Sequence, residues 1–281
     1  MDASGIHRRT VLKLLGAAAL VGSVRPTYAA QASLDAIKKS GVMRVGCEAV
    51  LPPFTFREGG KIVGYDVDVA ALICKPIAVR PEMIDTAWSG IIPALYAGRF
   101  DIIMSQMTYT KERLDKVGFA IPYVEASLAM LVRAGDAGKI KSTNDLVGHA
   151  IGVQLGSPGE LLQRKLNEQW IAKGGKGFSA VRIYDDYPAA YLALGQGSVD
   201  AVFNALPTLA RVLTDSPGKF AIVRGISTET WAGIATRKED VDLVSYLNTQ
   251  MRRIKSNGEI YALQEKWFGL KMNLPDAVPA L

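Results

Sequence analysis

The sequence predicts an α/β fold with mostly parallel sheets, arranged as two lobes with a cleft between them. Three observations carry this. Short apolar strand-like runs alternate with helix-like segments, the order that builds parallel sheets. A weak internal repeat relates "ALYAGRFDIIM" (94–104) to "ALGQGSVDAVF" (193–203), 99 residues further on. Each copy reads Ala-Leu, two residues, Gly, two residues, Asp and then an apolar strand. This plan fits a generic helix-glycine-strand unit, and more sharply two similar lobes. Both copies end in a polar residue at the strand's C-terminus, Ser105 and Asn204, and in open parallel sheets ligands bind outside those ends.

The 281 residues suffice for two medium domains, and 49 % hydrophobic with 21 % charged residues suits a packed globular chain. The net charge is +6, of which the first 29 residues carry +3. The remaining excess is mild. No basic block interleaves with aromatics, so nucleic acid is not an expected partner.

The elements follow in order. "HRRTVLKLLGAAALVGSV" has a basic start and an apolar run, and "PTYAAQA" offers small-residue cleavage points after Ala29 or Ala32. Residues 1–32 therefore read as a secretory signal, too short and too flanked for a stable membrane span. Arg8-Arg9 followed by Val11, Leu12 and Lys13 resembles the twin-arginine type, which exports folded cargo. An ordinary secretory signal and an uncleaved anchor are the alternatives. The expected location is periplasmic.

"GVMRVGC" (41–47) is a strand. "GYDVDVAALIC" (64–74) is a helix that Asp66 can cap, with Asp68 suiting its positive end and Val67, Ala71 and Cys74 on one face. Pro76 limits its extension. "SGIIPALYAG" (89–98) is a second helix stopped by Gly98, and "RFDIIM" is the next strand. The second lobe opens near "SLAMLVRAG" (127–135) and continues as strand, Gly/Ser turn and amphipathic helix through "DLVGHAIGVQLGSPGELLQRKL". Gly156 and Ser157 lie where N–H groups at a helix N-terminus can hold an anion. The tail is helical, with Leu243, Leu247, Met251 and Ile254 on one core stripe and Ile260, Leu263 and Trp267 on another.

Cys47 and Cys74 read as small buried residues rather than a disulfide, since nothing in their spacing brings them together. His149 is the one histidine outside the signal and reads as structural. Two cysteines and one histidine give no support to a zinc site or haem attachment, so no metal or cofactor is expected.

Six motifs then occur in a specific order: "LPPFTF", "GYDVDVA", "WSGIIPAL", "MTYTKERLDKVGFA", "DLVGHAIGVQLGS" and "NGEIYALQEKWFG". Over residues 33–270 the chain resembles the periplasmic solute-binding proteins that serve ABC importers of amino acids and related polar compounds, the family-3 type. The resemblance implies the type II periplasmic binding protein fold. It places residues 33–124 and 230–281 in lobe 1 and 125–229 in lobe 2, with hinges near Tyr123–Ser127 and Thr228–Ala232. It also implies a monomer that delivers its solute to a membrane permease.

It implies roles for individual residues as well. Arg113 matches the arginine that grips a ligand carboxylate, for which a guanidinium is geometrically suited. Its bland reading is a solvated helix arginine. Ser105, Gln106 and Thr108 stand where hydrogen bonds surround the same ligand, Ser157 reaches the carboxylate from the second lobe, and Gln154 and Asn204 are polar wall residues. Trp88 matches an aromatic that packs on the ligand. Glu48 matches a position that favours a donor or a cation at the ligand's far end; a surface-loop glutamate is the alternative.

The chain departs from the family pattern in three places. Pro158 lacks an N–H that relatives use, and Leu51 replaces a stacking aromatic. Ala205 stands where relatives carry an aspartate that pairs with the α-ammonium. Either Glu48, Asn204 or another group replaces that contact, or the ligand is not an ordinary α-amino acid. Two further readings are a cyclic-acid dehydratase on the same scaffold, with Glu48 or Glu160 as its acid, and a receptor that signals to a membrane kinase. The absence of a nucleophile-base pair argues for a binding protein over an enzyme.

Overall fold

A computed structural model of the chain describes residues 34–227 and 229–280. The signal-like segment and Thr228, part of the second expected hinge, lie outside the described residues. In chain order, α1 (Leu34–Ser40) leads into β1 (Val42–Cys47) and a small antiparallel meander, β2 (Val50–Leu51), β3 (Thr55–Glu58) and β4 (Lys61–Val63). Then come α2 (Tyr65–Cys74), β5 (Arg80–Asp85), α3 (Ile91–Tyr96), β6 (Ile102–Ile103), α4 (Lys111–Lys116) and β7 (Gly118–Phe119). After β8 (Val124–Glu125) come β9 (Leu128–Arg133), β10 (Ala150–Gln154), α5 (Pro158–Ala172), β11 (Ala180–Tyr184), α6 (Tyr187–Gly195), β12 (Ala201–Ala205), α7 (Leu206–Asp215) and β13 (Phe220–Val223). The chain returns through β14 (Trp231–Ala232) to β15 (Ala235–Thr236), α8 (Val241–Ser256) and α9 (Glu259–Phe268).

The two sheets share one plan. The first has the order β5-β1-β6-β15-β7 and the second β11-β10-β12-β9-β13. In each, the first three strands are parallel and the fourth runs against its neighbours. That inverted strand is β15 or β9, and each follows a short crossing strand, β14 or β8. The crossing strands pair antiparallel through Trp231–Glu125 and Ala232–Val124. The internal repeat maps onto α3–β6 and α6–β12, and β6 and β12 hold the same central place in their sheets.

Apolar side chains on α2, α8 and α9 close one core around Tyr65, Ile73, Leu243, Leu247, Met251, Ile254 and Ile260. Leu263 and Trp267 pack at its edge. Both cysteine thiols are free and buried. His149 Nδ1 lies 3.2 Å from Asp200 Oδ2, which ties the ring to the strand beside it.

Three expectations need correction. Asp66 does not cap α2: Gly64 holds the N-cap position with no side-chain cap, and Asp66 is fully buried instead. The buried face of α2 is Tyr65, Val69, Ala70, Ile73 and Cys74, whereas Ala71 is exposed, because α9 and the sheet approach from the side that carries Tyr65. The strand in "RFDIIM" is only Ile102–Ile103, since Asp101 turns to bond Arg44.

Candidate functional site

The C-terminal ends of β1, β6, β10 and β12 meet where the lobes face each other. Two of these ends contribute directly opposed groups. Glu48, just past β1, is buried, and both its carboxylate oxygens accept from Gln154 Nε2 at the end of β10, at 2.8 and 3.0 Å. Its own N–H donates to Ser105 Oγ beyond β6 (3.1 Å). Burial pushes the Glu48 carboxyl up to about 7 against the opposing pull of Gln154 and the Trp88 amide, with Asp186 and Asp85 adding smaller upward contributions.

Arg113 is the second centre. Thr110 caps α4 by accepting from the Arg113 N–H (3.2 Å), which places the side chain in the first turn, directed inward. Its Nη1 donates to Thr108 O (3.0 Å) and Thr108 Oγ1 (2.7 Å), and its Nη2 crosses to Gly156 O of the other lobe (2.9 Å). The guanidinium lies over the Trp88 ring, 5.0 Å from its centroid. Burial lowers its pKa from 12.5 to about 10. No carboxylate among the described residues pairs with it.

Gln106 is a strained element of the same wall. Its φ is 52°, a left-handed conformation that non-glycine residues seldom adopt. Its N–H is held by the Tyr123 hydroxyl (3.1 Å), and its Nε2 reaches Thr208 Oγ1 of the second lobe (3.2 Å). Apolar groups are exchanged too. Leu51 of the first lobe is buried in the second lobe's core beside Tyr187 and Leu209, and Ala205 of the second joins the first lobe's core.

The structure therefore gathers Glu48, Trp88, Ser105, Gln106, Thr108, Arg113 and Gln154 at one interface. It uses two predicted residues differently. Asn204 lines the cleft, but its Nδ2 donates to Tyr191 Oη (2.6 Å) and its Oδ1 accepts from Ala205 N–H (2.7 Å). Ser157 caps α5 by accepting from Glu160 N–H (3.2 Å), and the neighbouring Gly156 N–H is bonded to Glu160 Oε2 (2.6 Å). The Gly156 N–H expected to hold an anion is thus spent on its own helix, whereas the Ser157 hydroxyl acts there as an acceptor and keeps its O–H donor. Two residues of the wall were missed from sequence, Tyr187 and Thr208. Tyr187 opens α6 just past the C-terminal end of β11, a position that the strand-end rule would have flagged.

Trp88 borders two spaces. One is a cavity of about 30 Å³ bounded by Glu48, Leu51, Ser105, Gln106, Tyr187 and Ala205 among others. The other is a groove of about 750 Å³ between α3, α4 and the start of α5, with Arg113, Lys116, Glu112, Glu160 and Arg164 as its charged lining. No group of three or more His, Cys, Asp or Glu among the described residues is placed to hold a metal.

This fold and this interface have known counterparts. Residues 43–270 match the family described as bacterial extracellular solute-binding proteins, family 3. The chain belongs to this family. Among the relatives of this solute-binding protein is the L-cystine-binding protein TcyJ of Escherichia coli (strain K12), 29 % identical over 270 residues that cover 96 % of this chain and 98 % of that one. The L-arginine-binding protein of Pseudomonas aeruginosa is 30 % identical over 265 residues, covering 92 % and 96 %. An ancestral arginine-binding protein bound to arginine superposes with a TM-score of 0.74 at 38 % identity, over 82 % of this chain and 99 % of its own. Its fold is that of the type II periplasmic binding proteins. The relatives are named for binding. Even the neighbour described as a precursor of cyclohexadienyl dehydratase (TM-score 0.73, 34 % identical, covering 83 % and 98 %) is called an ancestral amino acid-binding protein. The role is solute binding, and the dehydratase reading is not favoured.

Proposed function

We propose that this solute-binding protein captures a small amino acid or amino-acid derivative by its carboxylate and delivers it to the permease of an ABC importer. Arg113 is the observation that carries the reading. A guanidinium with three bonds to neutral oxygens and no carboxylate partner is a costly thing to bury unless an anion joins it. Ser105, Gln106 and Thr108 would complete the hydrogen bonding, Trp88 would pack on the ligand, and Gln154 and Ser157 would close from the second lobe. Asn204 would serve as wall. The cystine-, arginine- and histidine-binding names of relatives support an amino-acid ligand.

The lobes would be residues 33–124 with 230–281, and 125–229, hinged at the paired strands β8 and β14. A cavity of about 30 Å³ has room for only about two waters. Entry therefore requires the Glu48–Gln154 and Arg113–Gly156 contacts to part, a hinge motion of the kind that closes binding proteins on ligands. We further propose that residues 1–32 direct export, by the twin-arginine route, to the periplasm and that the protein acts as a monomer. No helix among the described residues is long and apolar enough to cross a membrane.

The test is a thermal-shift screen of purified protein, stripped of ligand by unfolding and refolding, against amino acids, betaines and organic acids. A ligand at 1,000 times its Kd adds about 4 kcal/mol of stability, a rise of several degrees. The reading fails if no carboxylate-bearing solute moves the melting temperature.

A further inference from the structure

The charged groups lining the cavity and the groove can be paired off. Lys116 holds Glu112 (2.6 Å), and Arg164 holds Glu160. Two groups are left. Arg113 is a lining cation with no carboxylate partner, and Glu48 is a lining carboxylate with no cationic partner, its oxygens receiving only neutral donors, the Gln154 amide and the Trp88 backbone N–H. They form no ion pair with each other, and Trp88 borders both the groove that Arg113 lines and the cavity that Glu48 lines. The other candidate for a ligand's cation, Asn204, has its acceptor oxygen engaged by the Ala205 N–H, and Ala205 itself offers a methyl group.

We propose, resting on the solute-binding reading above, that this site selects ligands bearing one carboxylate and one cation, held by Arg113 and Glu48 respectively, and rejects ligands with a second cation. A solute with two cations would bring one of them into a closed interface with no free anion to meet it, stripped of water without compensation. A solute without a cation would leave Glu48 unpaired. Complementarity of this kind acts by penalising the wrong partner as much as by rewarding the right one.

The groups facing Glu48 sharpen the expectation. From β10 there is Gln154, from the segment before α6 Asp186, from the end of β5 Asp85, and from α6 and β1 Tyr187 and Cys47. None is cationic, so only a proton or a ligand's cation can neutralise the carboxylate. With its carboxyl titrating near pH 7 before binding, only the ionised fraction receives a cation. Affinity for a zwitterion should then rise roughly tenfold between pH 6 and pH 8.

The experiment uses pairs of probes that differ in one charge: L-citrulline against L-arginine, and Nε-acetyl-L-lysine against L-lysine, measured by calorimetry on the ligand-stripped protein at pH 6 and pH 8. The neutral member of each pair is expected to bind at least tenfold more tightly, with the pH trend above. Glu48→Gln should weaken the neutral member tenfold or more and abolish the trend. The inference is overturned if the cationic member of either pair binds as tightly as its partner, an outcome that leaves solute binding intact. It is also overturned if Glu48→Gln, folded by circular dichroism, binds the neutral probes unchanged. If neither pair nor any standard amino acid binds, the amino-acid reading falls and takes this inference with it.

Discussion

Replacing Arg113 with methionine separates the two things a buried arginine can do. Methionine keeps an unbranched stem against Trp88 but removes the charge and its donors. Burial holds the guanidinium down from 12.5 to about 10. At about 1.4 kcal/mol per pH unit, the free protein carries a penalty of about 3 kcal/mol for keeping this charge at neutral pH. The variant escapes that penalty and loses three bonds to Thr108 and Gly156, each worth about 1 kcal/mol net. These contributions nearly cancel. The ligand-free variant should match the parent in urea unfolding to within about 2 kcal/mol. Binding has no such compensation. Truncating one side of a buried charge pair costs about 2–5 kcal/mol, so affinity for the best amino acid of the thermal screen should fall roughly 100-fold by calorimetry. Equal affinity in parent and variant would refute the anchor role. A variant that bound normally but lost more than about 4 kcal/mol of stability would show that Arg113 is structural.

Three further outcomes are expected. Asp66 is fully buried with neither oxygen in a well-formed hydrogen bond; Tyr123 lies close enough to favour the charged form only partly, and burial pushes the carboxyl from 3.8 up to about 7. A raised carboxyl pKa contributes stability that is full below about pH 4 and is lost as pH rises through about 7. Asp66→Asn should therefore reduce the fall in unfolding free energy between pH 5 and pH 7 by about 2 kcal/mol, read from urea melts; an unchanged slope would mean the carboxyl is already ionised at pH 5. Gly64→Ala should destabilise by at least about 3 kcal/mol in the same assay, because φ is 133° and the new Cβ would sit 2.1 Å from Phe54 O; a neutral effect would place Gly64 elsewhere. Cys47 and Cys74 are free and buried, with burial holding each thiol up at about 12. Ellman's reagent should label neither in the folded protein and both after unfolding, and a folded-state reaction or a reductant-sensitive melting temperature would contradict this.

Much of the fold was legible because its cause is local and periodic. The alternation of strands and helices, the repeat at 94–104 and 193–203, and the apolar stripes of α8 and α9 all rest on spacing along the chain. The polar strand ends at Ser105 and Asn204 likewise pointed to the facing edges. Asp66 was misplaced for the complementary reason. Its position beside Gly64 reads as a helix start, and only the packing of α2 onto α9 and the sheet turns that residue into the core. Thr208 was missed because nothing in its own neighbourhood says which lobe will lie opposite, whereas Tyr187 carries a local signal in its place just past the end of β11.

By itself the sequence determined the two-lobe α/β class and the family, since hydrophobic period and motif order are properties of the chain, and it marked candidate polar residues at the strand ends. Only the tertiary structure decided which of those residues are still available. Asn204, Ser157, Glu112 and Glu160 all find partners, whereas Arg113 and Glu48 do not find countercharges. Whether a polar group is satisfied depends on every atom around it in space. Those atoms come from strands a hundred residues apart, so no local pattern can report the answer.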